Sequence, residues 1–248
     1  LDKFSLLHHL MRLCPLPGLQ FEESFVAIRY SLLKNFDAIE VSSELINFLS
    51  TLSIHCFINE YVYIESDAET HLITELQTRI SQAVAQSRQP EAIEVLCFAS
   101  YRPLHQYDWC QKLTSLDSLA EVKKRLIEDP LLDKMIAEDI PVLEKISNDV
   151  SLRVKRQYEE NPYPRWVKLG IPIKKKAIAA VCDEWRLQLA SEDIKNVTAP
   201  TILVAGCGTG QHSIETASRF SNCHVTAVDL SLASLAYAQR KSNELGLT

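Results

Sequence analysis

From Leu1 to about Val150 the apolar residues recur at helical spacing and rarely alternate. In "FEESFVAIRYSLLKNF" the positions Phe21, Phe25, Ile28, Leu32 and Phe36 fall three or four apart, which is one face of a helix. "SSELINFLSTLSIHCFINEYVY" continues the pattern with Leu45, Ile46, Leu49, Leu52, Cys56 and Phe57. Ser66 followed by Glu69 is a capping-box start for the helix through "THLITELQTRISQAV", and Ser118 with Glu121 gives the same signal before "VKKRLI". Pro90, Pro103, Pro130 and Pro141 punctuate the segments. The pattern predicts an all-helical domain over 1–150, of about six to eight helices. A repeat near the helical-hairpin period of about 34 residues is not evident.

After that the pattern changes. Residues 151–198 form a connecting segment, "RQYEENPYPRWVKLGIP", too aromatic for a passive linker, then a helix-like "KKAIAAVCDEWRLQL". From 199 to 248 the period shifts again. Ile202 to Ala205 is a short apolar run that reads as a buried parallel strand; "SIETASRF" is a helix, "HVTAVD" a second strand, and "SLASLAYAQRKSNELG" a helix ending at Gly246. Strand, helix, strand, helix is the opening of a doubly wound sheet, so the chain as a whole reads as α/β: a helical domain followed by the first half of a Rossmann-like domain.

Composition excludes more than it assigns. Hydrophobic residues make up 46% of the 248 and charged residues 23%, ordinary for a water-soluble globular chain. No apolar run is long enough to span a bilayer: the stretch Leu45 to Ile58 is broken by Asn47, Ser50, Thr51, Ser53 and His55. A net charge of −6 argues against nucleic acid as an obligate partner, and the one dense basic run, Lys174-Lys175-Lys176, reads as a solvated helix end. The seven cysteines are scattered without a CxxC pair, so neither a zinc ribbon nor a dithiol motif is expected; most read as small buried thiols, a usage that suits a reducing cytoplasm. The first residues lack a basic start and a cleavage site, which argues against a signal peptide, and the Leu1 start reads as a processed or partial sequence.

The chemistry-bearing stretch is "ILVAGCGTGQH", Ile202 to His212. Gly206, Gly208 and Gly210 allow a sharp turn at the carboxyl end of a strand and remove side chains that would keep a ligand from the backbone. The helix that follows presents unpaired N–H groups and a positive dipole end, so a ligand here should carry acceptor or anionic groups. A nucleoside triphosphate would need Gly-Lys-Ser or Gly-Lys-Thr, but Gly210 is followed by Gln211 and His212. A dinucleotide fingerprint fails at Gln211, where its last glycine should stand. Asp229, at the tip of the second strand, stands roughly twenty residues on, where a carboxylate can accept both hydroxyls of a ribose.

The G-x-G-x-G pattern resembles the first motif of class I S-adenosylmethionine-dependent methyltransferases. "QYEENPYPRW", "AGCGTGQHSIETASRF" and "AVDLSLASLAYAQRK" together resemble a bacterial family of such enzymes that often carries a tetratricopeptide-repeat or other helical region ahead of the catalytic domain, and "HCFINEYVY" is similar to that helical region. The resemblance is strong from Gln157 to Lys241 and weaker before Pro141. It implies S-adenosyl-L-methionine as cofactor. Gly206, Gly208 and Gly210, flanked by Ala205 and Thr209, would shape its bed. Gln211 and His212 would open the helix beside its methionyl part. Asp229 would hold the ribose, with Leu230 next to it. Tyr158 would cover the cofactor from a preceding helix.

Other residues read more plainly. Tyr163 and Trp166 read as packing residues, and Arg165 as one half of a surface salt bridge. "NPYP", Asn161 to Pro164, is similar to a target-nitrogen motif of amino-group methyltransferases but precedes the first strand instead of following the fourth, so the match is rejected on position. Cys207 reads as a small buried residue without a base to make it a nucleophile. His8, His9, His55 and His71 stand at no metal-ligand spacing, and no metal is expected. No catalytic residue is assigned and the methyl acceptor is not identified. Strands and reaction-side loops expected after the second strand do not occur before Thr248, so little or no turnover is expected of these 248 residues alone. The contrasting reading is a helical interaction module, with residues 1–150 recruiting a protein partner and the cofactor fold as an appendage.

Overall fold

The computed structural model describes residues 4–143 and 148–247. By backbone contacts the chain divides into two compact units, 1–131 and 132–248. The division falls well before residue 150. The helix that begins at Asp149 packs on the last helix of the chain, and this places it with the second unit.

The first unit is helical. It comprises α1 (Ser5–Leu13), α2 (Leu19–Asn35), α3 (Ser43–Ile58), α4 (Asp67–Ala85), α5 (Ala92–Ala99) and α6 (Ala120–Lys123), which runs through a π-helical stretch, Lys124–Glu128, into α7 (Asp129–Asp139), the helix within which the division at residue 131 falls. Helix α3 is the central one: every residue from Leu49 to Ile58 is buried, and it packs against α1 and α5. Its start is capped by Ser42, whose side chain accepts the Leu45 N–H. The Ser66–Glu69 capping box forms at the start of α4 as the spacing predicts.

Two local expectations give way to long-range partners. The buried face of α2 is Phe25, Arg29 and Leu33, while Phe21 and Ile28 are exposed. The face is turned because Arg29 finds internal partners, donating to the Ile64 carbonyl at 2.8 Å and lying 3.8 Å from the centre of the Tyr101 ring. At α6 the Ser118–Glu121 box does not form. The N-cap is Leu119, with no side-chain cap bond, and Glu121 instead accepts from Arg12 and Arg125. His55 is also fully buried: its Nδ1 lies 3.1 Å from the Met11 carbonyl and its Nε2 2.8 Å from the Tyr63 hydroxyl. The carbonyl can only accept, so Nδ1 carries the proton and Nε2 accepts from tyrosine. Burial holds the His55 pKa below the ordinary value, in keeping with a neutral ring.

The second unit contains α8 (Asp149–Glu160), α9 (Ile178–Glu184), β1 (Thr201–Ala205), α10 (Gln211–Arg219), β2 (His224–Val228) and α11 (Leu232–Glu244). Strands β1 and β2 pair in parallel, Thr201 opposite His224 and Ala205 opposite Val228. Helices together with a small parallel sheet fit the α/β class. β1 is not buried on both faces as its apolar run suggests: exposure alternates along it, and Leu203 is 66% exposed. Ile202 and Val204 are half-buried; Thr201, Leu203 and Ala205 are exposed. The local core here is Trp166, Ile214 and Tyr237, with Leu169 and Leu247 packed around it. α9 is shorter than the sequence suggests, ending at Glu184 before Arg186 takes a positive φ. Lys174, Lys175 and Lys176 are exposed just ahead of it. Among the described residues no helix is long and apolar enough to cross a membrane.

Candidate functional site

The glycine turn begins by clasping the neighbouring strand. The N–H groups of Gly206 and Cys207 both donate to the Val228 carbonyl, at 2.8 and 3.1 Å. Gly206, Gly208 and Gly210 all have positive φ, at 70°, 52° and 83°, the region that glycine occupies without strain. Their missing side chains serve different ends. A Cβ at Gly206 would meet no atom within 4 Å, so the backbone there is open to a ligand. At Gly208 the nearest atom would be the Tyr163 carbonyl oxygen, at 4.0 Å. A Cβ at Gly210 would collide with that of Ala238, so this glycine lets α10 start against α11 and does not widen the turn toward solvent.

Asp229 faces the same turn from the end of β2. Its Oδ2 accepts the Gly208 N–H at 2.8 Å and its Oδ1 the Ser231 N–H at 2.9 Å. Each oxygen thus holds one backbone donor, which fixes the plane of the carboxylate. One further lone-pair direction remains on each oxygen. Beside it, the first N–H groups of α10, those of Gln211, His212 and Ser213, have no acceptor within the helix, and Gln211 and His212 are exposed.

The connecting segment ahead of the sheet holds both edges of this corner. On the glycine side the Thr209 hydroxyl donates to the Pro164 carbonyl at 2.8 Å, and the Trp166 indole N–H donates to the Thr209 carbonyl at 3.0 Å. Thr209 is 1% exposed, so its side chain is committed to this support. Trp166 is itself buried, edge-on to the Tyr237 ring. On the strand side the Ser231 hydroxyl donates to the Tyr158 carbonyl at 3.1 Å. The Glu159 carboxylate accepts the N–H groups of Leu232 and Ala233 at 2.8 and 3.0 Å.

Tyr158 and Leu230 are 42% and 43% exposed at the corner's rim, and Ala205 is exposed at the end of β1. Tyr163 does not pack as expected: it is 52% exposed, with its carbonyl oxygen facing Gly208. Nor is Arg165 a surface cation, for at 9% exposed it is buried next to Trp166 in the segment that supports the turn. Burial, reinforced by the Asp229 charge, pushes the Cys207 thiol up to about 11, which keeps it protonated and poorly nucleophilic at neutral pH. Among the described residues no three His, Cys, Asp or Glu side chains gather as a metal ion would require.

Glu159 is the residue that sequence patterns miss. It stands 73 residues from the nearer of the two N–H donors it accepts from, and a glutamate near the end of a helix carries no local signal of capping another one.

The family model described as "Methyltransferase domain" matches residues 202–248, a span that runs from β1 through the glycine turn, α10 and β2 to α11. No curated protein and no solved structure matches the chain. The family match supports a methyltransferase domain in this part of the second unit, and with it a transferase activity.

Proposed function

We propose that the second unit is the cofactor-binding part of a class I, S-adenosyl-L-methionine-dependent methyltransferase with a Rossmann-like, doubly wound architecture. The observation that carries this reading is the Asp229 carboxylate, pinned across the glycine turn at 2.8 Å from the Gly208 nitrogen while the backbone at Gly206 stays open. The cofactor, when bound, supplies an electrophilic methyl group on a sulfonium. The chain's own contribution is placement. Asp229 offers its two remaining lone pairs to a pair of vicinal ribose hydroxyls. Gly206 lets the ligand approach the main chain, and the first amides of α10 complement a carboxylate. Tyr158 and Leu230 give the rim apolar surface against which a base or a methionyl chain can rest. Such a site works by orienting reactants, since displacement at a sulfonium needs little acid–base assistance.

Calorimetry with S-adenosylhomocysteine tests the reading. Binding to the wild-type chain, weakened at least about tenfold in Asp229→Ala, is the expected result. Asp229→Asn, which keeps one acceptor oxygen, should fall between the two. No binding to the wild type, or equal affinity in all three, refutes the assignment. A parallel titration with NAD separates it from a dinucleotide site: tighter NAD binding would favour a dehydrogenase.

A further inference from the structure

We infer that Glu159 is a positioning residue for the ligand corner, acting through the first turn of α11 on the orientation of Asp229. The inference rests on the cofactor reading above for its ligand and on separate geometry for its mechanism.

Helix α11 already has the local cap that its sequence supplies: the Ser231 hydroxyl accepts the Ser234 N–H at 3.0 Å. The next two orphan donors, on Leu232 and Ala233, would ordinarily be left to water. Here one carboxylate from a distant helix takes both, one oxygen each. Charge-assisted bonds of this kind are stronger and shorter than neutral ones, and a carboxylate at a helix N-terminus also gains from the helix dipole. Glu159 is half-buried, with the Lys155 ammonium 3.9 Å from its Oε1, whereas its neighbour Glu160 is exposed. A second bond, from the Ser231 hydroxyl to the Tyr158 carbonyl, runs beside the carboxylate pair. The end of α8 is therefore fastened to residues 231–233 at three points.

Those residues continue directly from Asp229. The Ser231 N–H that donates to Asp229 Oδ1 belongs to the segment that Glu159 and Tyr158 hold from the other side. A continuous path of hydrogen bonds thus runs from Glu159 to the α11 amides, along the backbone to Ser231, to Asp229, and on to Gly208. Asp229 has both oxygens engaged, so its free lone pairs point where the 229–233 backbone sets them. Loosening the first turn of α11 frees the carboxylate to rotate and lets the glycine turn part from it. The same fastening sets the distance of the Tyr158 ring from the corner, because Tyr158 precedes Glu159 on α8.

The experiment compares the wild-type chain with Glu159→Gln, Glu159→Ala and Glu160→Gln. It reads S-adenosylhomocysteine affinity by calorimetry and amide exchange at Gly208 and Ser231. The expected result is a loss of affinity of roughly tenfold in Glu159→Gln and more in Glu159→Ala, with Glu160→Gln unchanged. Exchange at Gly208 and Ser231 should quicken in the two Glu159 variants only. A merely structural cap would lower the denaturation midpoint and leave affinity and Gly208 exchange as in the wild type; that outcome overturns the inference. If the wild type fails to bind S-adenosylhomocysteine, the cofactor reading falls, and Glu159 is judged on exchange alone. Faster exchange at Gly208 in Glu159→Gln then upholds its positioning role, and unchanged exchange ends it.

Discussion

Trp166 donates its indole N–H to the carbonyl of Thr209 at 3.0 Å, joining an aromatic segment to a glycine turn 43 residues further along the chain. The donor and acceptor are both buried, so the bond is exchanged for nothing when it is lost. The ring also packs against Ile214 and Tyr237, and the Lys241 ammonium lies 5.0 Å from its centre. One side chain thus couples α10, the glycine turn before it and α11.

Two substitutions separate these roles. Trp166→Phe keeps most of the packing and removes the donor, leaving the Thr209 carbonyl without it; a cost of about 1–3 kcal/mol is expected. Trp166→Ala also opens a cavity and should cost about 3–5 kcal/mol. Urea denaturation followed by far-ultraviolet circular dichroism measures both, and equal costs would show that the hydrogen bond contributes nothing of its own.

The glycines of the turn differ in what they tolerate. Gly206→Ala places a methyl group in open space, so its stability cost is the positive φ alone, about 1–2 kcal/mol. Gly210→Ala adds a collision with Ala238 to the same backbone strain, for a total of about 2–5 kcal/mol. Ligand affinity should rank the other way round per unit of lost stability, because Gly206 faces the open corner. Thermal melts paired with calorimetry check the contrast. A Gly206→Ala variant as unstable as Gly210→Ala would contradict it.

These contrasts show which parts of the molecule are legible in its sequence. The α4 capping box needs only Ser66 and Glu69, three residues apart, and both strands, the glycine turn and the position of Asp229 are likewise written in local pattern. What escapes sequence reading is set by partners far along the chain. Arg29 is polar by type and buried in fact, because Ile64, Glu69 and Tyr101 receive it. Glu121 abandons its capping role to Arg12, 109 residues away. Gly210 looks like part of a ligand bed, yet Ala238 on α11 accounts for its lack of a side chain. Glu159 has no local signature at all. The supports of the site are tertiary, while its contact surface is local.

Buried thiols make the helical unit sensitive to alkali. Burial pushes both Cys56 and Cys97 up to about 12, against about 9 for a free thiol. Below pH 9 the thiols are neutral in the folded and the unfolded chain, and their contribution to stability is fully present. Between about 9 and 12 the unfolded chain releases protons that the folded one retains, so stability falls as pH rises, by up to about 1.4 kcal/mol per pH unit for each thiol. The tyrosines Tyr63 and Tyr101, also pushed upward by burial, add the same sign only above their ordinary value of about 10. Urea midpoints at pH 8 and 9.5 therefore isolate the thiols. The decline between them should shrink in Cys56→Ala/Cys97→Ala, and an identical decline in that double variant would assign it elsewhere.

Arg29 is the other buried ionic element of the helical unit. It is 2% exposed, 3.6 Å from the Glu69 carboxylate, which in turn accepts the Tyr101 hydroxyl at 2.7 Å. Removing one member of such a group leaves the other charge buried without its partner, a loss of about 3–5 kcal/mol. Arg29→Met fits the space and should show it. Adding Glu69→Gln neutralises the stranded carboxylate while keeping an oxygen for Tyr101. The double variant should therefore be more stable than the sum of the two single losses predicts, by about 1 kcal/mol or more. Denaturant titrations of the three variants give the coupling directly. Strict additivity would mean that the guanidinium is held by the Tyr101 ring and the Ile64 carbonyl, with the carboxylate a bystander.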